Sequence, residues 1–188
     1  VEAKKIQEVI GSYEPNYDYV VIDAGKSISD CLVATLNLAN LILIVVTPDI
    51  LSIYQTKWIL DTLRTLHFPH KMVRLILNRA ESLAAVSWQE VKINLPIDII
   101  SQIPSEGKTV NLSVNRGIPI TVDSPKSRVS LAIKQLAATL AVQKNLFVEH
   151  HELDALKVAE GFLEKPSDFW ETQGLTEVLG QYKVEERD

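Results

Sequence analysis

The sequence predicts an α/β fold in which a mostly parallel sheet is flanked by helices, with a partly helical tail at the C-terminus. Short β-branched apolar runs alternate with segments whose apolar residues recur at helical spacing, which is the pattern of repeated strand–helix units. The runs are apolar throughout, as is typical of strands buried on both faces of a parallel sheet. The 188 residues suffice for one well-buried domain with an appendage.

Composition narrows the function classes. The net charge of -5 argues against broad nucleic-acid binding, and no sequence-specific contact with nucleic acid is expected. The single cysteine, Cys31, excludes an internal disulfide and suits a reducing cytoplasm. No apolar run reaches the roughly 18 residues of a membrane span. Without a G-x-G-x-x-G sequence, a dinucleotide-dependent enzyme is an unfavoured alternative.

Periodicity along the chain divides it into alternating elements. The first part of the chain is predicted to contain, in order, a helix over 1–13, a strand over Tyr19–Ile22, a helix from Ile28 or Ser29, a strand over 41–47 and a helix over 49–66. The second part is predicted to contain a strand over 72–77, a helix over 86–94, a strand over 97–103 and a helix from Ser105 to Arg116. An extended segment over 118–122 and a helix from Ser124 onward follow.

Start and stop residues support these bounds. Tyr19–Ile22 is a wholly apolar run closed by Asp23, and Ser27 with Asp30 fits a capping box at the start of the next helix. Pro48 ends the second run, which is interpreted as a second buried strand.

The same kind of signal continues in the second half of the chain. Ser105 is placed to cap a helix, and Gly117 stands where a left-handed residue ends that helix. Ser124 and Pro125 then fit the N-cap and first-turn proline of the last helix.

The character of the sequence changes near residue 143. Residues 1–143 carry the alternating pattern, whereas 144–188 form an acidic, partly helical tail, in which Phe169 and Trp170 are candidate anchors onto the domain or a partner. The tail has the opposite charge to the Lys- and Arg-rich face of a membrane-surface helix. Membrane association is therefore expected through partners rather than through this tail.

Polar residues follow the predicted strands, and parallel strands place their carboxyl ends at one edge of a sheet, where ligands bind. Asp23 can orient a water on Mg²⁺, accept a proton or cap the next turn. Asn78 offers a donor and an acceptor, which suits the edge of a purine ring. Further contacts to a base are expected from the loop that contains Pro104, Ser105 and Glu106.

Each of these residues also has a structural interpretation. Asp23 would cap a turn, Asn78 would end a strand, and Arg79 would be a solvated charge. Their joint position at one edge of one sheet favours a ligand site.

The segment Gly25-Lys26-Ser27 has the ending of a phosphate-binding loop. The full pattern G-x-x-x-x-G-K-[ST] requires glycine at position 20, which is Val20 here, so the amide cradle for a phosphate is absent from this segment. Lys26 is interpreted either as an exposed turn lysine or as a switch residue near a nucleotide that other residues hold.

Five motifs in a fixed order carry a resemblance to a known family. They are Tyr17-Asp-Tyr-Val-Val-Ile-Asp23, Ala39-Asn-Leu-Ile-Leu-Ile-Val-Val-Thr-Pro48, Leu75-Ile-Leu-Asn-Arg79, Ile103-Pro104 and Val114-Asn-Arg-Gly-Ile-Pro119. Together they resemble the MinD/ParA family of P-loop ATPases, approximately over residues 1–140. The stretch from Gly117 to Val129 is particularly similar to the CpaE/TadZ branch, which helps to place and assemble pili.

The resemblance implies individual roles. Asp23 matches the Walker B aspartate, which acts on Mg²⁺ through a water molecule, and Asn78 would read adenine. ATP would be sandwiched in a homodimer. The residues expected beside the adenine are Arg79, Pro104, Ser105 and Glu106, and those of a switch segment that reports the γ-phosphate are Lys26, Ser27 and Asp30.

The family's phosphate-binding loop precedes its Walker B strand. The chain is therefore expected to be the C-terminal portion of such an ATPase, incomplete at the N-terminus and unable to hydrolyse ATP by itself. Its expected role is to position or assemble a surface machine such as a pilus. The expected location is the cytoplasm, with recruitment to the membrane or the cell pole by protein partners of a secretion or pilus machine.

A second hypothesis is a nucleotide-independent scaffold with a degenerate ATPase fold. The family usually shows Asp-x-Pro after the Walker B strand, whereas Asp23 is followed here by Ala24, Gly25 and Lys26. In this hypothesis the acidic tail recruits a partner. Chromosome or plasmid partition is a further function found within the family.

Overall fold

A computed structural model of the chain describes residues 3–25, 29–81 and 86–148. These residues form two compact units, which are joined in the sequence at Ala39 and Asn40. The regular elements of the N-terminal unit are helical, and the second unit contains a three-stranded parallel sheet with flanking helices. The α/β class expected from the alternating pattern is confirmed.

The described residues of the N-terminal unit form two helices. Helix α1 (Ala3–Tyr13) continues into a short 3-10 turn at Glu14–Asn16, and helix α2 spans Asp30–Leu38. The two helices pack against each other. Among the described residues of this unit, the buried apolar side chains are Ile10, Val33 and Ala34.

Helix α2 begins one or two residues later than the capping-box pattern predicts. Ser29 is the N-cap, because its backbone is extended and its Oγ accepts a hydrogen bond of 3.3 Å from the backbone N–H of Leu32. Ser29 therefore takes the N-cap position that was assigned to Ser27, and Ser27 itself lies outside the described residues.

The segment Tyr19–Ile22 is not a strand, which corrects the prediction of a strand buried on both faces. It has no regular secondary structure, and the side chain of Val21 is 94% exposed. A parallel strand depends on hydrogen bonds to a neighbouring strand, and the sheet in the described residues has only three strands, none of which is this segment. A β-branched apolar run favours an extended backbone, but it does not provide the neighbouring strand to which that backbone must hydrogen-bond.

The sheet of the second unit is parallel, in the order β1 (Ile42–Val46), β2 (Val73–Asn78) and β3 (Ile99–Ile103). The strand over 97–103 is thus two residues shorter at its start than predicted. Strand β2 is central, and the side chains of Leu75 and Leu77 are fully buried. These leucines form the centre of the core, because a central strand can be covered on both faces.

Strand β1 is less covered than a wholly apolar run predicts. Ile42 and Val46 are buried, but the side chain of Val45 is 58% exposed. Strand β1 lies at an edge of the sheet, and within this unit helix α3 (Ile50–Thr65) packs against it. The prediction that this run is buried on both faces is therefore wrong for part of its length.

The helices of the second unit follow the predicted order. After α3 come α4 (Trp88–Asn94), α5 (Gly107–Arg116), α6 (Ile120–Asp123) and α7 (Arg128–Val142), with 3-10 turns at His70–Met72 and Lys144–Leu146. Helix α7 packs against β3, and α6 packs against α5 and α7. Within the described ranges, no helix has both the length and the apolarity that crossing a membrane requires.

The extended segment predicted over 118–122 is wrong for residues 120–122, because α6 forms a helical turn there. The carboxylate of Asp123 accepts hydrogen bonds from Ser113 Oγ at 2.8 Å and from Arg116 Nη1 at 3.0 Å. These bonds, first from Ser113 and then from Arg116, lower the pKa of Asp123. The turn is therefore held by side chains of α5, which local propensity does not reveal.

Helix α7 also begins later than predicted. Ser127 is its N-cap, since its Oγ accepts a hydrogen bond of 3.1 Å from the N–H of Ser130. Ser124 instead accepts a hydrogen bond of 2.7 Å from Ser130 Oγ at its backbone carbonyl. The helix start assigned to Ser124 and Pro125 is wrong, because both residues belong to the turn before the helix.

The last described residue is fastened to the first residue of the second unit. Val148 donates its N–H to the carbonyl of Asn40 at 3.0 Å, and Asn40 Nδ2 donates to the carbonyl of Val148 at 2.9 Å. Leu146 and Val148 are buried. Residues 149–188, including Phe169 and Trp170, lie outside the described residues, and the boundary between a domain over 1–143 and a tail over 144–188 stays a prediction.

Candidate functional site

The carboxyl ends of β2 and β3 lie at the same edge of the sheet. Their final residues, Asn78 and Ile103, are opposite each other in the parallel register. The backbone N–H of Ala80 donates to the carbonyl of Ile103 at 3.0 Å, which joins the two loops. This strand-end rim comprises residues 78–81 and 103–106, and it brings together Asn78, Arg79, Pro104, Ser105 and Glu106 as predicted.

Asn78 is half-buried, and its side-chain amide is oriented by the backbone. Its Oδ1 accepts a hydrogen bond of 3.0 Å from the N–H of Arg79. Because a backbone N–H needs an acceptor, this bond identifies the oxygen of the amide. The Nδ2 group remains as a donor, and the carbonyl oxygen keeps a second lone pair. Asn78 can therefore still both donate and accept.

Arg79 has a left-handed backbone, with a φ angle of 55°. For a non-glycine residue this conformation costs roughly 1–2 kcal/mol, and such strain persists where the surroundings hold it in place. Here the hydrogen bonds of Arg79 N–H to Asn78 and of Ala80 N–H to Ile103 hold the backbone on both sides of the strained residue. The exposed Arg79 side chain is thereby displayed at the rim.

Glu106 has a structural role that the sequence did not reveal. It occupies the N-cap position of α5 without a side-chain capping bond, whereas Ser105 was predicted to cap that helix. Instead, Glu106 Oε2 accepts a hydrogen bond of 3.0 Å from the N–H of Val129 in the first turn of α7. A carboxylate at a helix N-terminus is favourable because it satisfies an unpaired amide and opposes the helix dipole.

The start of α7 makes a second connection to the rim. Arg128 Nη2 lies 2.6 Å from both Oε1 and Oε2 of Glu81, which follows Asn78 by three positions. This contact raises the pKa of the Arg128 guanidinium. Sequence reasoning missed both residues, since 47 positions separate them and no local pattern links them. They line a groove of about 300 Å³, together with Ala80, Gln102, Pro104, Leu131, Ala132 and Gln135.

The acid after β1 is a helix cap. Asp49 Oδ1 accepts a hydrogen bond of 2.8 Å from the N–H of Ser52, and Thr47 Oγ1 donates to Asp49 Oδ2. These bonds, first from Thr47 and then from Ser52, lower the pKa of Asp49. The carboxylate is therefore charged at neutral pH and committed to the start of α3.

Asp23 lies in the N-terminal unit and forms a turn. Its Oδ1 accepts a hydrogen bond of 3.2 Å from the N–H of Gly25, whose φ angle of 68° suits glycine. Asp23 is exposed, so the carboxylate is accessible as well as turn-forming. The prediction that Asp23 and Asn78 share one rim stays a prediction, because they belong to different units.

The other predicted switch residues are only partly described. Asp30 is the exposed first residue of α2, whereas Lys26 and Ser27 lie outside the described residues. In the described part of the chain, no three His, Cys, Asp or Glu side chains lie close enough together to hold a metal ion by themselves.

Comparison with known proteins supports the resemblance to MinD and ParA at low identity. The chain is 22% identical over 175 residues to a septum site-determining protein MinD from Thermotoga maritima, covering 90% of this chain and 62% of that protein. It is 26% identical over 156 residues to a putative MinD from Emiliania huxleyi, covering 79% of this chain and 56% of that protein. No family model matches the chain.

Solved structures show the same fold. A ParA family ATPase from Chlorobium tepidum superimposes with a TM-score of 0.70 at 26% identity, covering 74% of this chain and 57% of that one. A chain of a MinC:MinD cell division protein complex from Aquifex aeolicus gives a TM-score of 0.62 at 28% identity, with coverages of 76% and 58%. A MinD from Pyrococcus horikoshii complexed with Mg-ADP is similar in fold alone. Its TM-score is 0.63 at 21% identity, with coverages of 74% and 56%.

The chain spans little more than half the length of these proteins, between 56% and 62%. Its sheet and flanking helices match the fold of MinD and ParA ATPases.

Proposed function

We propose that this chain is part of a MinD/ParA-type ATPase that positions a cellular machine, and that the intact protein binds ATP and Mg²⁺. One observation carries the proposal. The fold is similar to that of MinD and ParA ATPases, and its strand ends place Asn78 opposite Ile103 at a rim of the sheet. Ligands of open α/β sheets bind at this end of the strands.

The base is proposed to bind at the strand-end rim. Among the described contacts, Asn78 keeps a donor at Nδ2 and remaining acceptor capacity at Oδ1, which matches the adjacent acceptor and donor on the edge of adenine. Arg79, Pro104 and Ser105 would surround the ring. Glu106 would support the loop beside the base, because its carboxylate accepts a hydrogen bond from the N–H of Val129 in α7.

Magnesium is proposed to be held near Asp23 through a water molecule. The group fits this residue, since Mg²⁺ prefers oxygen ligands, keeps several waters and is commonly bound by one or two carboxylates with substrate phosphates. Asp23 presents one exposed carboxylate whose Oδ1 is oriented by Gly25. The ion would neutralise charge on the phosphates, while Asp23 holds and orients the water.

The proposed function also includes a switch segment, a homodimer and protein partners. Lys26, Ser27 and Asp30 would report the γ-phosphate, and two copies would sandwich ATP as a homodimer. The similar Aquifex aeolicus protein was solved as a MinC:MinD complex, which supports protein partners as the means of recruitment to a membrane or cell pole.

The machine is proposed to be a surface structure such as a pilus, on the likeness of residues 117–129 to the CpaE/TadZ branch. Division-site placement is the competing role, because the curated relatives are named as septum site-determining proteins. Deleting the gene and counting pili and septum positions in the same cells separates these roles. Misplaced septa with normal pili would favour division, and lost or misplaced pili with normal septa would favour the pilus role.

Calorimetry with Mg-ATP on the intact protein tests nucleotide binding. Asn78→Ala should weaken binding by about tenfold or more, because the bond to the base is lost in a partly buried site. Asn94→Ala is the matched control, since Asn94 is an exposed amide at the end of α4 that bonds only to Glu90 in the described contacts. Absence of binding by the wild-type protein would support the nucleotide-independent scaffold instead.

A further inference from the structure

The ion pair of Glu81 and Arg128 joins two parts of the second unit that are distant in sequence. Both carboxylate oxygens of Glu81 lie 2.6 Å from Arg128 Nη2. Glu81 ends the strand-end rim after β2, and Arg128 is the first residue of α7. A contact in this position fixes the far end of the rim to a fifteen-residue helix.

The segment between Asn78 and Glu81 contains the strained residue Arg79. A left-handed non-glycine residue keeps its conformation only where neighbouring interactions restrain it. On one side the restraint is Asn78 Oδ1, and on the other side it is the bond from Ala80 N–H to Ile103. The Glu81 contact adds an anchor one residue beyond Ala80, so the strained turn is held at both ends.

The helix that provides this anchor is itself fixed to the rim. Glu106, in the loop after β3, accepts the N–H of Val129, which neighbours Arg128. The two carboxylates therefore connect both strand-end loops to the first turn of one helix. A helix restrained in this way can hold Glu81 in a constant place.

We propose that Arg128 is a positioning residue for the nucleotide base. Through Glu81 it holds the strained turn at Arg79, so that Asn78 keeps the orientation in which its amide meets the ligand. Arg128 acts through Glu81 and is not assigned a contact with the nucleotide. The inference rests on the proposed function, which supplies the ligand.

The first test measures Mg-ATP affinity of the intact protein by calorimetry. Arg128→Gln and Glu81→Gln should each weaken binding roughly two- to fivefold, the range expected when an exposed ion pair is lost. The reversed pair, Glu81→Arg with Arg128→Glu, should recover affinity to within about twofold of wild type if the pairing is what matters. A general charge effect would not be rescued by the reversal.

Arg116→Gln is the matched control. Arg116 has nearly the same side-chain exposure as Arg128, 57% against 58%, and it forms an ion pair with Asp123 on the α5–α6 side. It should leave affinity for Mg-ATP unchanged.

The second test needs no nucleotide. Hydrogen exchange of the Ala80 amide should become roughly two- to fivefold faster in Arg128→Gln, because local opening of the turn becomes more frequent. The Leu75 amide, bonded to Asp98 in the middle of the sheet, is the internal reference and should not change.

The outcomes separate the inference from the proposed function. If the wild-type protein binds Mg-ATP and the single variants bind equally well, the positioning role of Arg128 is wrong while nucleotide binding stands. Unchanged exchange at Ala80 also overturns it, whatever the affinity. If the wild-type protein does not bind, the proposed function and the role that depends on it both fail.

Discussion

The carboxylate of Glu106 accepts a hydrogen bond of 3.0 Å from the backbone N–H of Val129, 23 positions further along the chain. Glu106 stands at the start of one helix, α5, but its side chain serves the start of another, α7. The loop after β3 is thus shaped by helix capping as well as by any ligand. Stability measurements on the unliganded protein can isolate this contribution.

Replacing Glu106 by alanine should lower the free energy of unfolding by about 1 kcal/mol, because an amide in the first turn of α7 loses its acceptor. Glu106→Gln keeps an acceptor oxygen and should lose less. Urea unfolding of both variants at neutral pH provides the measurement. An equal loss in the two variants would mean that charge, rather than the hydrogen bond, is what Glu106 contributes.

Replacing Asp49 by alanine should destabilise the protein by about 1 kcal/mol at neutral pH, the usual effect of removing an N-cap. Asp61→Ala is the matched control, because Asp61 is an exposed aspartate on the same helix with a side-chain contact of 3.9 Å to Arg64. Urea unfolding should show a clearly smaller effect for the control. Equal effects would argue that Asp49 contributes charge alone.

The effect of Asp49 should also depend on pH. Its pKa is lowered in the folded protein, so folding favours the charged form and the unfolded chain binds a proton more readily. The stabilisation is complete above the unfolded pKa of about 3.9 and is lost as pH falls through the folded value. The difference between wild type and Asp49→Ala should therefore shrink below about pH 4. A difference that grows on acidification would contradict this assignment.

Replacing His67 by glycine should raise the free energy of unfolding. His67 has a φ angle of 60°, just after the helix ends at Thr65. Glycine adopts this conformation without steric cost, so a gain of roughly 0.5–1 kcal/mol is expected. Thr65→Gly, inside the last turn, should instead lose about 1 kcal/mol. Thermal unfolding of both variants distinguishes the two positions.

Replacing Val21 by alanine should change the free energy of unfolding of the chain by less than about 0.5 kcal/mol, as is usual for exposed positions. Leu75→Ala should cost about 2–5 kcal/mol, because Leu75 is completely buried in the central strand. Chemical denaturation of this chain measures both. A large loss at Val21 would contradict the exposure of its side chain.

Three strands and their intervening helices were predictable because local signals and tertiary environment agree there. At Asp49 the residue after the strand is also a good N-cap, and the structure uses it as one. At Gly117 a left-handed helix end requires the residue type that the sequence provides, and the φ angle of 66° confirms it. The conformation at such positions depends only on residues within about one helical turn, so the local sequence is enough to predict it.

The secondary-structure predictions fail where the conformation depends on residues that are distant in the sequence. Tyr19–Ile22 has strand composition but no partner strand among the described residues. Residues 120–123 form a helical turn because Ser113 and Arg116 bind Asp123 from another helix. Neither a missing strand partner nor a contact across ten positions is visible in local periodicity.

The position of the strand ends in the candidate site was predictable, whereas the roles of its residues stay predictions. Parallel strand ends brought Asn78 and Pro104 to one rim, as the alternating pattern implies. The contacts of Glu81 with Arg128 and of Glu106 with Val129 were not predictable, because they join residues 47 and 23 positions apart. Long-range polar contacts of this kind depend on the packed structure.

The paired hydrogen bonds between Asn40 and Val148 have a practical consequence for protein engineering. These bonds place Asn40, the first residue of the sheet-containing unit, next to Val148, the last described residue of that unit. A short linker could therefore join these two positions, and new termini could be opened in a surface loop, to give a circularly permuted unit with its three strands in the same spatial order.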